Sequence, residues 1–309
     1  MADIIVVGGC IVDLISYVRR FPRPGETISG NRFEKGFGGK GANQCVMANK
    51  LGSTTAMIAK LGDDSLGHEY FENFKQSGIN YDFVSMTKES HTSTASITVS
   101  EDGQNCIVYV PGAIMNLTPR DIQAAEDLIK RAKVMLCTFE CPLDSLITAL
   151  NLAKTHKVTT IVNAAPTCNS TYEEVYHLAD IICLNEVEAY DATNLKIETI
   201  EDAAEAIKIL FQKGCATVIL TLGCKGAVFQ NKNENKYIHV PARVVKALDC
   251  TGAGDAFMGS LVYYLSAHPQ LSMEEAIKRS CEVATTSVLK RGTQSSFPNR
   301  NELSEDLFK

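Results

Sequence analysis

Lys246-Ala-Leu-Asp249-Cys250-Thr251-Gly252-Ala253-Gly254-Asp255-Ala-Phe-Met-Gly259 is a glycine-rich turn that opens a helix and plants one carboxylate at its mouth. Before it, Ala242 to Val245 reads as a short extended run. After it, Phe257, Met258, Leu261, Val262, Tyr264 and Leu265 make the helix apolar nearly all round, which predicts a buried helix. Gly252 and Gly254 fall at its first turn, where a missing Cβ lets a ligand reach the main chain. Free N–H groups and the positive end of the helix dipole favour an anion there. A carboxylate in an anion site repels its ligand unless a proton or a cation lies between them, so Asp255 is a candidate general base. The stretch alone reads equally well as a tight turn, with Asp255 as a helix-terminal acid.

Strand and helix patterns alternate outward from this stretch. The run Ile4 to Val12 predicts a buried first strand. Gly38-Gly39-Lys40-Gly41-Ala42-Asn43-Gln44 opens a helix through about Leu51, followed by a strand at Thr54 to Leu61 and a helix from about Ser65 to Gln76. Strands at Val134 to Phe139, Val158 to Val162, Ile181 to Leu184 and Thr217 to Thr221 are separated by helical patterns. This is the signature of an α/β protein whose mainly parallel sheet is covered on both faces. Asp13, Glu140, Asn185 and Gly223 then follow predicted strands, at the edge where open α/β sheets bind ligands. Thr118-Pro119-Arg-Asp121 predicts a helix start, Ser272-Met-Glu-Glu275 a capping box, and Gly214 and Gly292 helix C-caps. Two stretches interrupt the rhythm. Arg19 to Ile28 is punctuated by Pro and Gly, and Thr92 to Ser100 joins Asn105 to Val110 through Glu101-Asp102-Gly103, a β-hairpin signal. The two excursions can pair into a small separate sheet.

Composition narrows the function classes. The 309 residues are 45% hydrophobic, ample for a core, and carry a formal charge of −6. No Lys/Arg block suits a phosphate backbone, so nucleic acid is not expected as a partner. The first apolar run is too short for a signal peptide core or a membrane span, so no membrane association is expected. Eleven scattered cysteines lack the paired spacing of a zinc or redox motif. Mostly buried thiols in odd number point to a reducing compartment, the cytoplasm or the nucleus.

With Gly38 to Asn43, Asn185-Glu186-Val187-Glu188, Thr221-Leu222-Gly223-Cys224-Lys225-Gly226 and Asp249 to Asp255 in this order, the chain resembles the ribokinase-like, or PfkB, sugar kinases from about Asp3 to Pro298. The family's two signatures correspond to the Gly38-Gly39 region and to Asp249 to Gly259. Within the family, the Gly38 to Gln44 stretch and Gly292-Thr-Gln-Ser-Ser-Phe-Pro298 are most similar to the ribokinase group. The resemblance implies a three-layer α/β/α domain spanning 1–309. It also implies a β-lid from segments of about 14–37 and 92–110 that covers the sugar and forms a homodimer contact.

The same resemblance implies transfer of the γ-phosphoryl group of ATP to the O5 hydroxyl of D-ribose. Asp13, Gly38, Gly39, Lys40, Asn43 and Glu140 would hold the sugar, whose hydroxyls suit carboxylate acceptors and an amide. Asp255 would be the base, and the amides of Gly252, Ala253 and Gly254 would bear the growing charge. Asn185 and Glu188 match an element associated with phosphate and Mg²⁺, acting through bound water. Thr221, Leu222, Gly223, Cys224, Lys225 and Gly226, with Gly254 and Cys281, would line the nucleotide site. Asp249, Thr251, Ser287, Lys290, Gly292 and Ser296 match positions that hold a monovalent cation, K⁺, Lys290 through its carbonyl. Three positions depart from the family pattern: Ile11 stands where bacterial members have Asn, Cys250 where Thr or a small residue is usual, and Cys281 where some have an adenine-side Asn.

Two rival readings accompany a ribose kinase. One is a kinase for 2-deoxyribose, a nucleoside or another sugar, which the same fold can house. The other is a non-catalytic sugar- or nucleotide-binding regulator, against which the intact Asp255 and both glycines argue.

Overall fold

The computed structural model of the protein describes residues 2–167 and 173–309. Its first feature corrects the sequence expectation. The apolar run from Ile4 is not one strand: β1 ends at Val7, and after Gly8-Gly9 the chain enters a different sheet as β2, Ile11–Val18. Hydrophobicity is continuous across the break, so the pattern hides it. Gly8 explains the turn, because a Cβ there would lie 2.5 Å from Thr138 Oγ1 and 2.9 Å from Gly41 Cα. Asp13 therefore sits within β2 rather than behind the first strand of the main sheet.

The small sheet also contains β3 (Arg32–Gly38), β6 (Ser93–Ser100) and β7 (Asn105–Val110), in the order β3-β2-β6-β7. Arg19 to Ile28 itself forms no strand; the strands on either side of it, β2 and β3, pair with each other, β2 runs parallel to β6, and β6 and β7 form the expected hairpin around Gly103.

The large sheet is completed by β4 (Thr55–Gly62), β5 (Asn80–Thr87), β8 (Val134–Thr138), β9 (Thr159–Asn163), β10 (Ile181–Asn185), β11 (Thr217–Thr221), β12 (Ala227–Asn231) and β13 (Ile238–Val240). Its order is β13-β12-β11-β10-β9-β8-β1-β4-β5, parallel from β5 to β11. The pattern reading did not include β5, β12 or β13. β5 is a partly exposed edge strand with a polar-diluted pattern, and β12 and β13 form an antiparallel edge. Ala242 to Val245, read as extended, is irregular.

Helices α1 (Lys40–Lys50), α2 (Ser65–Ser77), α3 (Pro119–Ala124), α4 (Glu126–Ile129), α5 (Leu143–Thr155), α6 (Glu173–Leu178), α7 (Glu186–Thr193), α8 (Ile200–Gln212), α9 (Ala253–Ala267) and α10 (Met273–Ser287) cover this sheet. Alternation along β1 sorts them into layers. Ile4 and Val6 join one core with residues of α1, α2, α9 and α10, while Ile5 and Val7 join a second with residues of α3 to α8. The Thr118 cap forms with Asp121 as its reciprocal partner, whereas Ser272 supplies only the hydroxyl half of the box read there. Gly214 follows the cap of α8, but Gly292 lies beyond the C-cap of α10. No described helix is long and apolar enough to cross a membrane.

Strand order reverses between β1 and β8. From β1 the chain builds outward to β4 and β5, and from β8 the other way to β9, β10 and β11. Such a switch point leaves a crevice at the carboxyl ends of the central strands. Gly8-Gly9 after β1 and Glu140 after β8 face each other there, through a 2.9 Å hydrogen bond from the Gly9 amide to Glu140 Oε2.

Candidate active site

Four segments converge on this crevice: the N-terminus of α1, the turn into α9, the start of α7 and the edge of the small sheet. Close approach of α1 to α9 makes the centre. Gly259 faces Gln44 O and the Met47 side chain, which a Cβ would meet at 2.5 and 2.6 Å. At that separation two amides of α1 reach the carboxylate of α9: Asn43 Nδ2 donates to Asp255 Oδ2 at 2.9 Å, and Gln44 Nε2 to Oδ1 at 2.8 Å. Asp255 is buried. Burial raises its pKa, against the opposing pull of the Lys40 ammonium and the two amide donors. Gln44 is wholly buried, and its Oε1 has no donor among the described residues. The amide thus serves Asp255 at the expense of its own oxygen. Within its motif Gln44 carries no local signal of this role.

The turn before α9 is shaped for an anion. Gly252 caps the helix in the left-handed region (φ 77°), with Phe297 and Thr293 against it. A Cβ on Gly254 would meet nothing within 4 Å, so this backbone faces open space. Ala253 N–H is tied back to the Cys250 carbonyl at 3.2 Å, whereas Gly254 and Asp255 present first-turn N–H groups that lack a helical acceptor. A cavity of about 170 Å³ opens beside the turn, and Lys40, Asn163, Asn185, Glu188, Thr221 and Asp255 are among its lining residues. Lys40 is mostly buried: desolvation pulls its pKa down, but Asp255, Glu188 and Glu140 more than offset this and hold it up. It is a cation at the cavity beside Asp255, of the kind an anion there would need.

The other side of the crevice lies under the small sheet. Glu140 accepts from the backbone amides of Gly9, Lys40 and Gly41 and from the Thr138 hydroxyl. Three of these reach Oε2 and one reaches Oε1, so Oε1 keeps capacity for a ligand hydroxyl. Asp13 differs. It stands over Gly38, where a Cβ would lie 2.4 Å from Oδ2, and its carboxylate has no hydrogen-bond partner among the described residues. Burial, Asp255 and Glu140 together raise its pKa to about 6. Gly39, at φ 91°, packs on the Gly9 carbonyl, which a Cβ would meet at 2.6 Å.

Asn185 and Glu188 form a capping box at the start of α7, at 2.8 and 2.9 Å. Burial raises the Glu188 pKa, opposed by the Asn185 N–H and Lys40. Among the described residues no three His, Cys, Asp or Glu side chains cluster as a metal cage. One carboxylate with Asn185 at the cavity fits a divalent ion that arrives with phosphates and keeps its waters.

The other nucleotide residues are less uniform. Thr221 lines the cavity, Leu222 is buried, and Gly223–Lys225 forms a 3₁₀ turn with Cys224 and Lys225 exposed. Lys225 Nζ donates to the Glu198 carbonyl at 2.5 Å. Gly226 packs against β13. Cys281 is buried in α10, beside the irregular 241–249 segment, which is bound through Arg243–Glu282 and the Val288 carbonyl.

The six residues expected to hold a monovalent cation lie around the end of α10 and the segments joined to it. Asp249 accepts from the amides of Thr251 and Gly292, both at 2.9 Å, which joins the two segments. Although burial opposes it, these bonds hold the Asp249 carboxyl below its usual range. The Lys290 ammonium pairs with Glu302 at 2.7 Å, pointing its charge elsewhere and leaving only its carbonyl for a cation. Ser287 and Ser296 turn their hydroxyls onto the carbonyls of Ala284 and Thr293. One carboxylate among backbone oxygens fits a large monovalent ion better than a small divalent one.

A three-layer α/β fold with an open glycine-rich helix start, a buried carboxylate and convergent polar groups at its switch point is the setting in which comparison with known proteins places an ATP-dependent carbohydrate kinase. The chain belongs to the pfkB family carbohydrate kinases, whose family model matches residues 1–300. It is 44% identical over 307 residues to a ribokinase of Mus musculus, covering 99% of this chain and 95% of that one. It is 34% identical to a deoxyribokinase of Salmonella typhi, covering 99% and 98% respectively. Its fold superposes with TM-score 0.91 on a solved structure of Arabidopsis thaliana ribokinase complexed with ribose and ATP, at 28% identity, covering 100% of this chain and 99% of that one.

Proposed function

We propose that this kinase acts as a ribokinase, converting D-ribose and ATP to D-ribose 5-phosphate and ADP. The observation that carries the sugar assignment is Asp13, a half-buried carboxylate held above Gly38 with no donor among the described residues. A pair of adjacent hydroxyls would supply the donors it lacks. Glu140 Oε1 and the remaining N–H of Asn43 complete the clamp.

Asp255 takes the proton of the sugar's O5 hydroxyl as that oxygen bonds to the γ-phosphorus and the bridge to ADP breaks. The Gly254 and Asp255 amides and Lys40 bear the charge on the transferred group, which is most of what such a reaction needs. Asn185 and Glu188 would hold Mg²⁺ through its waters, and the ion, when bound, neutralises phosphate charge. Asp249, Thr251, Ser287, Lys290, Gly292 and Ser296 would hold K⁺ and stiffen the α9 turn. We further assign the chain to a single 1–309 domain, a homodimer through the small sheet, and the cytoplasm.

A coupled ADP-release assay over pentoses, hexoses and nucleosides, run in K⁺, Na⁺ and a bulky organic cation, tests these readings. Loss of the 2-hydroxyl leaves part of Asp13 unpaired, so ribose is expected to exceed 2-deoxyribose in kcat/KM by at least about tenfold. Equal or better turnover of deoxyribose overturns the ribose assignment and favours the deoxyribose kinase. Equal rates in all three cations remove the K⁺ site.

A further inference from the structure

The amide that orients the base is itself held from a distant loop. Asn43 gives one N–H to Asp255, and its Oδ1 accepts from Gln294 Nε2 at 3.0 Å. Gln294 is fixed on every side. Nε2 also lies 3.4 Å from the Tyr70 hydroxyl, which donates to the Gly38 carbonyl at 2.5 Å. Its Oε1 accepts from Asn73 Nδ2 at 3.3 Å, and its backbone carbonyl accepts from the Lys50 ammonium at 2.8 Å.

An asparagine amide has two orientations of nearly equal shape, distinguished only by what its oxygen and nitrogen meet. Beside a carboxylate one orientation donates, and the other sets oxygen against oxygen. A donor on the far side of Asn43 stabilises the first orientation and opposes the second. We infer that Gln294 is a positioning residue: its amide holds the N–H groups of Asn43 toward Asp255 and the sugar side, coupling the 293–297 loop to the base. The charged groups facing Asp255 from its surroundings are Lys40 on α1, Asp13 on β2, Glu140 after β8 and Glu188 on α7. Three of them are carboxylates, which while ionised cannot donate to Asn43 Oδ1, and Lys40 could do so only by withdrawing its charge from Asp255.

The sugar-turnover part of the test rests on the ribokinase reading, and the spectroscopic part does not. In ¹⁵N-labelled protein without ligands, the Asn43 side-chain NH₂ pair, assigned by its loss in Asn43→Leu, is expected to be dispersed and slow to exchange. In Gln294→Leu it collapses toward free-amide positions and exchanges fast. In kinetics, Gln294→Leu raises the KM for ribose about tenfold and lowers kcat, with the KM for MgATP unchanged. Assayed at pH 8 to ionise the new carboxyl, Gln294→Glu has the same size but accepts instead of donating, and it behaves like Gln294→Leu. On an Asn43→Leu background, Gln294→Leu has no further effect. An unchanged Asn43 resonance, wild-type kinetics in Gln294→Glu, or independent effects of the two substitutions would each overturn the role. If the wild type turns over no ribose, the ribokinase reading fails while the resonance still decides on Gln294.

Discussion

At the residue scale, two carboxylates carry opposite consequences for activity and stability. Asp255→Asn keeps the volume, and its new N–H can be met by Gln44, whose orphan Oε1 becomes available when that amide turns over. The fold and sugar binding should therefore persist, while kcat falls about 10²-fold to 10⁴-fold, the usual worth of a positioned base. Near wild-type kcat would remove Asp255 from that role. Asp13 is a case of function opposing stability. Its folded pKa of about 6 lies above that of a free aspartate, so the native state binds its proton more tightly than the unfolded chain does. Stability then declines as pH rises from about 4 to about 6, and the full penalty stands above that window. With allowance for partial exposure, Asp13→Asn should stabilise the protein by about 1–2 kcal/mol at pH 7 and by nothing at pH 4. The same variant should raise the KM for ribose at least about tenfold, because it removes a charged acceptor. Thermal unfolding at the two pH values, alongside sugar kinetics, gives both results. A variant no more stable at pH 7 would contradict the environment described for Asp13.

At the element scale, the site depends on how closely α1 and α9 cross. Gly259 touches no substrate position, yet its missing Cβ admits Gln44 O and Met47. Gly259→Ala should separate the helices by a fraction of an ångström and cost about 1–3 kcal/mol, as overpacked cores do. It should also lower kcat more than it changes the KM for MgATP, since both amide bonds to Asp255 stretch. Unchanged far-UV circular dichroism with lower Tm and kcat would support this, and wild-type kcat would contradict it. The crossing also marks a limit of sequence reading. Gly252, Gly254 and Asp255 announced an anion turn because glycines and a helix start are local signals. Gln44 and Gln294 are ordinary polar residues until the fold sets them against Asp255 and Asn43, more than 200 positions away in each case. The split of the Ile4 to Val12 run was equally invisible, since Gly8 turns the chain through contacts with Thr138 and Gly41, which no periodicity encodes.

At the scale of the whole molecule, the alternating strands and helices foretold a mainly parallel sheet, and the two interrupting segments foretold a second small one. Strand order was not legible, because reversal between β1 and β8 arises from the packing of both layers rather than from any segment. The small sheet leaves one conspicuous surface. Along its edge strand β7, Ile107, Val108, Tyr109 and Val110 are all exposed, with Val108 at 60%. Phe33, on the opposite edge strand β3, is exposed at 63%. Contiguous apolar exposure on an open sheet edge is costly in water and invites pairing with another chain. A second copy of the same sheet would cover it, and would also brace β2, which carries Asp13, over the sugar. Val108→Arg places a charge in such a contact, where it has no partner and must be desolvated. Sedimentation velocity at micromolar concentration should then give a particle near the 33.7 kDa of one chain rather than twice that mass for the unaltered protein. The KM for ribose should rise, while the KM for MgATP stays constant. A wild-type monomer at that concentration would refute the lid contact, whereas a monomeric variant with wild-type ribose kinetics would keep the dimer and reject its bracing of β2.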